Sequence, residues 1–190
     1  DIFVQAWYQG GVSVMDFTDS SNPIEIAFFD RGPVDAEELI TGGYWSTYWY
    51  GGYIYGTEIA RGMDVLKLEP SDYLTENEIA AASLKAAGEV VNAQQQAMHK
   101  WPAVPVVALA YLDQLARSQV IGSSTELDLR EALAEADSLI QNGRGSRSIA
   151  RTLSGFADDF ASESRSRSGI SRKRYAELSA TLEGIADKLN

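Results

Sequence analysis

The hydrophobic pattern changes period once along the chain. Up to about residue 75 the apolar and aromatic residues come in short runs: Phe3–Trp7, Val12–Phe17, Ile24–Phe29, Tyr44–Tyr50, Tyr53–Thr57 and Met63–Leu68. Such runs, rich in β-branched and aromatic residues, predict strands. Gln9-Gly10-Gly11 and Gly51-Gly52 are hairpin signals, Thr18-Asp19-Ser20-Ser21-Asn22-Pro23 is a turn cluster, and residues 30–43 read as a loop. With tight links elsewhere, the segment predicts an antiparallel meander and not βαβ units.

From residue 75 the pattern becomes helical, poorly periodic at first and then, in the last helices, spaced by three and four. Thr75-Glu76-Asn77-Glu78 is a capping box opening an Ala-rich helix predicted to run to about Met98, and Trp101-Pro102-Ala103-Val104-Pro105 breaks it. Four amphipathic helices follow. The first, Val106–Ser118, carries Val107, Leu109, Leu112 and Leu115. The second opens on the box Ser123-Ser124-Thr125-Glu126, carries Leu129, Leu133, Ala136 and Ile140, and stops at Gly143. The third carries Ile149, Leu153, Phe156 and Phe160. The last follows Gly169 with Ser171 as its expected cap and carries Tyr175, Leu178, Leu182, Ile185 and Leu189. One apolar stripe per helix and short links predict an antiparallel bundle.

The β-rich segment repeats at a spacing of 51 residues: Phe3 falls on Ile54, Val4 on Tyr55, Gly11 on Gly62, Val14 on Val65 and Phe17 on Leu68. That is the size of one propeller blade, and blades bury their faces against neighbours, so three or more repeats are the rule. About one and a half are present and the chain opens on Asp1 in mid-pattern, so the expectation is the C-terminal piece of a longer protein. The expected fold is α+β: a partial antiparallel β-propeller of one to two last blades over residues 1–74, a linker helix and Pro-containing hinge over 75–103, and an all-α antiparallel bundle over 104–190.

The stretch Gly11-Val12-Ser13-Val14-Met15-Asp16-Phe17-Thr18-Asp19-Ser20-Ser21-Asn22-Pro23-Ile24-Glu25-Ile26-Ala27 resembles the LVIVD-repeat β-propellers of bacterial and archaeal cell-surface proteins: a Gly, a V-x-V-x-D strand, a D-x-x-x-P turn, then another apolar strand. Arg61–Leu68 repeats it imperfectly, with Lys67 where the strand Asp would stand. The resemblance covers residues 1–69 and implies a surface or extracellular setting and no defined reaction. Leu112-Asp113-Gln114-Leu115, Leu153-Ser154-Gly155-Phe156-Ala157-Asp158-Asp159-Phe160, Ile170-Ser171 and the last helix resemble the FIMAH domain, although the FIMAH string itself is not reproduced. That resemblance, over about residues 105–190, implies an accessory, non-catalytic module of bacterial extracellular proteins.

Composition narrows the chemistry. There is no Cys, which excludes disulfides, thiolate metal sites and Cys nucleophiles. The net charge of −11 argues against nucleic acid as a partner. It is uneven: residues 1–75 hold 12 acidic and 3 basic side chains, net −9, and the remaining 15 and 13 leave −2 for residues 76–190. No apolar run reaches the ~18–20 residues that span a bilayer. The only histidine, His99, lies at an expected helix end, and no G-x-S-x-G elbow accompanies it, so no catalytic residue is assigned.

The candidate binding residues are aromatic and acidic. Seven of the twelve residues Tyr44–Tyr55 are Tyr or Trp. Alternation places Trp45 and Trp49 on one face and Tyr48 and Tyr50 on the other, either packed between blades or offered as a platform for sugars. Glu58 and Arg61 are expected to pair or to line a channel mouth. Asp16, Asp19, Asp30, Asp35, Glu37, Glu38, Glu58 and Asp64 raise Ca²⁺ as a candidate ion, without an EF-hand spacing; no cofactor is otherwise implied. The basic run Arg165–Arg174 reads as a solvated inter-helix loop, or as a contact for anionic cell-wall polymer or for the acidic propeller surface. The expected function is a non-catalytic surface or secreted scaffold for binding, its partners being further propeller blades and cell-wall polymer or carbohydrate. The alternative is part of an extracellular, polymer-acting enzyme with its site on other blades.

Overall fold

A computed structural model describes residues 2–84 and 101–190, and these form an α+β chain of two compact units divided between Ala97 and Met98. In the first unit β1 (Ile2–Ala6), β2 (Val12–Asp16) and β3 (Ile24–Phe29) form one antiparallel sheet, and β4 (Tyr44–Tyr50), β5 (Tyr53–Glu58) and β6 (Gly62–Leu66) form a second. Neither sheet closes on itself. The 51-residue offset is structural, because it carries strand register. Phe3↔Met15, Val4↔Val14 and Gln5↔Ser13 in the first sheet map onto Ile54↔Leu66, Tyr55↔Val65 and Gly56↔Asp64 in the second. Gly11 and Gly62 sit at the same place in the two hairpins with φ of +81° and +96°, the left-handed region that a Cβ disfavours. The offset then runs out. β3 maps onto residues 75–80, where the helix α1 (Glu76–Ala82) forms instead, and β4 has no counterpart in the first sheet.

The core of this unit lies between the sheets. Val12 and Val14 of β2 meet Tyr44, Ile54 and Leu68, with Ile79 of α1 joining them, and Phe29 stands edge-on to Tyr44 at 6.3 Å. The Thr75–Glu78 capping box is formed. The helix it opens ends far short of Met98: Ser83 is its C-cap, with Ser83 Oγ donating to the Ile79 carbonyl and the Trp49 indole N–H to the Ala82 carbonyl at 3.1 Å. Residues 85–98 of the predicted helix, and His99, lie outside the described residues.

The alternation expected in β4 is corrected by a bulge. Register shifts between Tyr44 and Ser46, making Trp45 the extra residue. Tyr44 and Trp49 therefore point into the core and Trp45 is left exposed. Tyr48 and Tyr50 stand on the outer face of the second sheet, also exposed.

The second unit has α2 (Pro105–Arg117), α3 (Ser123–Gln141), α4 (Arg147–Ser166) and α5 (Gly169–Leu189). The predicted apolar stripes become its core: Leu112 and Leu115, Leu129 and Leu133, Leu153 and Phe160, and Tyr175, Leu178, Leu182, Ile185 and Leu189 are all buried. Three helix starts differ from expectation. Pro105 opens α2 from inside its first turn, where its missing N–H costs nothing. The Ser123–Glu126 box does not form: Gly122 is the N-cap, and Glu126 is held by Arg130 at 2.8 and 3.0 Å. The N-cap of α5 is Ser168, not Ser171, which lies within the helix.

Candidate functional site

The polar residues of the first unit gather at a seam where the turns of the two sheets meet. Gly43, in the loop before β4, lies at φ +89°. This brings Tyr44 alongside Tyr8, and the two exchange backbone hydrogen bonds at 2.9 and 3.2 Å. Glu58, the last residue of β5, is buried beneath this contact. One carboxylate oxygen accepts the Gly43 N–H at 2.5 Å; the other accepts the N–H groups of Ala60, at 2.9 Å, and Arg61. A buried carboxylate needs such partners, and here they are the backbone of the β5–β6 turn and of the loop before β4. Glu58 and Arg61 do meet, but through the Arg61 backbone: its guanidinium turns away to donate to the Pro33 carbonyl at 2.8 Å.

Beside Glu58, Asp64 of β6 accepts from the Tyr44 hydroxyl and pairs with Arg31. The cleft lined by Tyr8, Arg31, Gly43, Tyr44, Glu58 and Arg61 has a volume of about 10 Å³, room for one water. Burial raises the Tyr44 phenol well above its ordinary pKa of 10.0, and the hydrogen bond to Asp64 and then its charge add to the effect against the opposing charge of Arg31. In the second unit burial, with the charge of Glu177, pushes Tyr111 up to about 12.

A phenol whose folded pKa is raised keeps a proton that the unfolded chain gives up. Its contribution is complete below pH ~10 and drains away as pH rises from there through the folded value. The first unit is therefore expected to lose stability above pH ~10. Urea unfolding followed by tryptophan fluorescence measures this, since three of the four tryptophans, Trp7, Trp45 and Trp49, lie in that unit, and Trp101→Phe removes the signal of the other. Tyr44→Phe should make the alkaline fall shallower; an unchanged slope would mean that Tyr44 is not the group responsible.

Four of the other carboxylates expected as ion ligands hold their own turns. Asp16 accepts from Thr18 N–H, Asp19 from the N–H and hydroxyl of Ser21, Asp30 from Gly32 N–H, and Asp35 from Glu37 and Glu38 N–H. Among the described residues no three His, Asp or Glu side chains converge on a metal-sized centre. Trp49 is taken into the core. Trp45 is 68 % exposed, its ring edge-on to Tyr8 at 6.1 Å. Sequence reasoning named Glu58 and Arg61 but missed Tyr8, Arg31 and Gly43, and it placed Tyr44 and Asp64 without their contact.

The basic run is not a long link in the fold. Only Arg167 and Ser168 separate α4 from α5. Arg167 pairs with Glu163 at 2.9 Å and lies over the Tyr175 ring at 5.5 Å, while Arg174 donates to Ser118 Oγ at 3.0 Å. Two of these cations, Arg167 and Arg174, are thus engaged in joining the helices.

No protein-family profile, no curated protein and no solved structure matches this chain. No helix among the described residues is long and apolar enough to cross a membrane.

Proposed function

We propose that the chain is a non-catalytic scaffold for binding at a cell surface or in the extracellular medium. On this reading the first unit is a segment of an LVIVD-like β-propeller and the helical unit a FIMAH-like accessory interaction module. The observation that carries it is a division of labour at the seam. Glu58 and Asp64 are held by donors of the fold itself, while Trp45 and Tyr8 stand outside as an aromatic edge. The propeller reading is supported by the shared register of the two hairpins. Superposed at the 51-residue offset, the two sheets add up to a four-stranded meander, the blade of a propeller. The extracellular setting rests on the resemblance of Gly11–Ala27 to the repeat pattern. Further blades of a longer chain are the expected partners of the first unit, and cell-wall carbohydrate that of Trp45.

Retention of the chain on insoluble peptidoglycan, compared with Trp45→Ala, tests the aromatic platform. An aromatic contact worth about 1 kcal/mol corresponds to roughly fivefold in affinity, and the variant should lose at least that. Equal retention of both proteins, or no retention of either, would remove carbohydrate stacking at Trp45 from the reading.

A further inference from the structure

The 51-residue repeat gives every residue of the β1–β2 hairpin a counterpart in the β5–β6 hairpin, and counterparts can be compared for what covers them. Each sheet has two faces. The face of the first sheet bearing Val4, Val12 and Val14 packs on the face of the second bearing Ile54 and Leu66. The repeat therefore defines a leading face (Val4, Val12, Val14) and a trailing face (Ile54, Leu66, Leu68), and the molecule contains one leading-on-trailing contact.

The same offset locates the two faces left over. The leading face of the second sheet is Tyr55, Met63 and Val65, with Tyr48 beside Tyr55 on β4. The trailing face of the first is Phe3, Met15 and Phe17, with Phe28 beside Ser13 on β3. Val14 is 3 % exposed and its counterpart Val65 52 %; Ile54 is 2 % exposed and its counterpart Phe3 39 %; Phe28 is 75 % exposed. Val12, Val14 and Ile54, sealed in one sheet, have the exposed counterparts Met63, Val65 and Phe3 in the other, while Phe17, the counterpart of buried Leu68, is half-buried against Phe3; the two uncovered faces are of opposite kind. Exposed apolar residues on a sheet face mark a contact surface; the trailing face of the first sheet also carries Glu25, which accepts from Ser13 Oγ at 2.5 Å, and Trp7, whose indole N–H donates to Ser13 Oγ at 2.9 Å.

We propose that two copies of this chain stack head to tail, the Tyr48–Tyr55–Met63–Val65 face of one copy covering the Phe3–Phe17–Phe28 face of the next. The second copy is the occupant because it presents, at its open end, the counterpart of the face that already fills this role inside each molecule. A leading-on-trailing contact is heterologous: it leaves one face of each kind open, and copies continue to add unless the rotation closes a ring. The proposal needs only the shared register and not the carbohydrate reading; it takes the same two faces that further blades would cover in a longer chain, so it describes the 190-residue chain by itself, and a monomeric chain would leave those faces to such blades.

Sedimentation equilibrium on the 190-residue chain tests it. The unmodified chain should associate with concentration and go beyond a dimer. Val65→Glu blocks the leading face and Phe28→Glu the trailing face, and each alone should weaken association about tenfold or more, because a carboxylate would have to be buried without a partner. An equimolar mixture of the two still offers one intact face of each kind, and should form a 1:1 dimer that grows no further. Both positions are exposed, so far-UV circular dichroism should not change; Met63→Glu with Phe3→Glu is the second pair. A monomeric unmodified chain, a single variant that associates as well as the unmodified chain, or a mixture that stays monomeric overturns the proposal.

Discussion

Gly43→Ala is expected to disrupt the seam of the first unit and to cost about 3 kcal/mol or more, a large part of the stability of a small domain. Two effects add. The left-handed conformation is strained for any residue with a Cβ, by roughly 1 kcal/mol. The Cβ would also stand 1.9 Å from the Tyr8 carbonyl carbon, so the Tyr8–Tyr44 exchange and the bond from Gly43 N–H to Glu58 must open to admit it. Losing that donor leaves a buried carboxylate short of a partner, which costs more than an ordinary hydrogen bond contributes. Gly62→Ala is the control. Its φ is +96°, yet a Cβ there meets nothing within 4 Å, so only the conformational strain remains. Urea midpoints read by tryptophan fluorescence should fall much further for Gly43→Ala than for Gly62→Ala. Equal midpoints would mean that the close approach of the two sheets at Tyr8 contributes little.

The contrast between these glycines shows what the sequence could carry. Gly62 is legible as a hairpin residue and as the equivalent of Gly11, because hairpin chemistry is local and a repeat is a comparison of the chain with itself; Gly43 is legible only as the end of a loop. The strands and the apolar stripes of the bundle were legible for the same reason: each is a period within one element. What stayed hidden depends on pairs distant in the chain. Asp64 is held by Tyr44, 20 residues away, and by Arg31, 33 residues away. Neither spacing has a local signature. The bulge at Trp45 inserts one residue with no glycine or proline inside the strand itself, Gly42-Gly43 reading only as the end of the loop before it, and a one-residue slip exchanges the faces of a strand. At Ser123 the local signal was real but lost a competition, since Arg130 takes the carboxylate of Glu126 that a capping box needs. Of the candidate site, the chain showed which residues carry charge and aromatic surface. It did not show that Glu58 faces the backbone and Trp45 faces solvent.

Leu182→Ala is expected to destabilise the helical unit by about 2–5 kcal/mol, the range for removing a fully buried leucine from a packed core. Leu182 has no exposed surface and belongs to the same core cluster as Leu153, Leu178 and Ile185. The cost exceeds the transfer of the lost atoms because neighbours on several helices cannot all move in to close the cavity. For a unit of this size 1 kcal/mol shifts the melting temperature by roughly 4–8 °C, so a loss of about 3 kcal/mol should lower it by roughly 12–24 °C in the ellipticity at 222 nm. Leu127→Ala, on the exposed face of α3, removes the same atoms from solvent contact and should shift the melting temperature by no more than a few degrees. The difference between the two measures burial and not composition. If both leucines proved equally cheap to remove, the helices would not be packed as a specific bundle, and the apolar spacing that predicted them would describe only helix-forming segments. If Leu182→Ala alone is costly, the 3–4 spacing of the last helix marks its buried face, and the face carrying Arg172, Lys173, Glu177 and Glu183 is its solvent side.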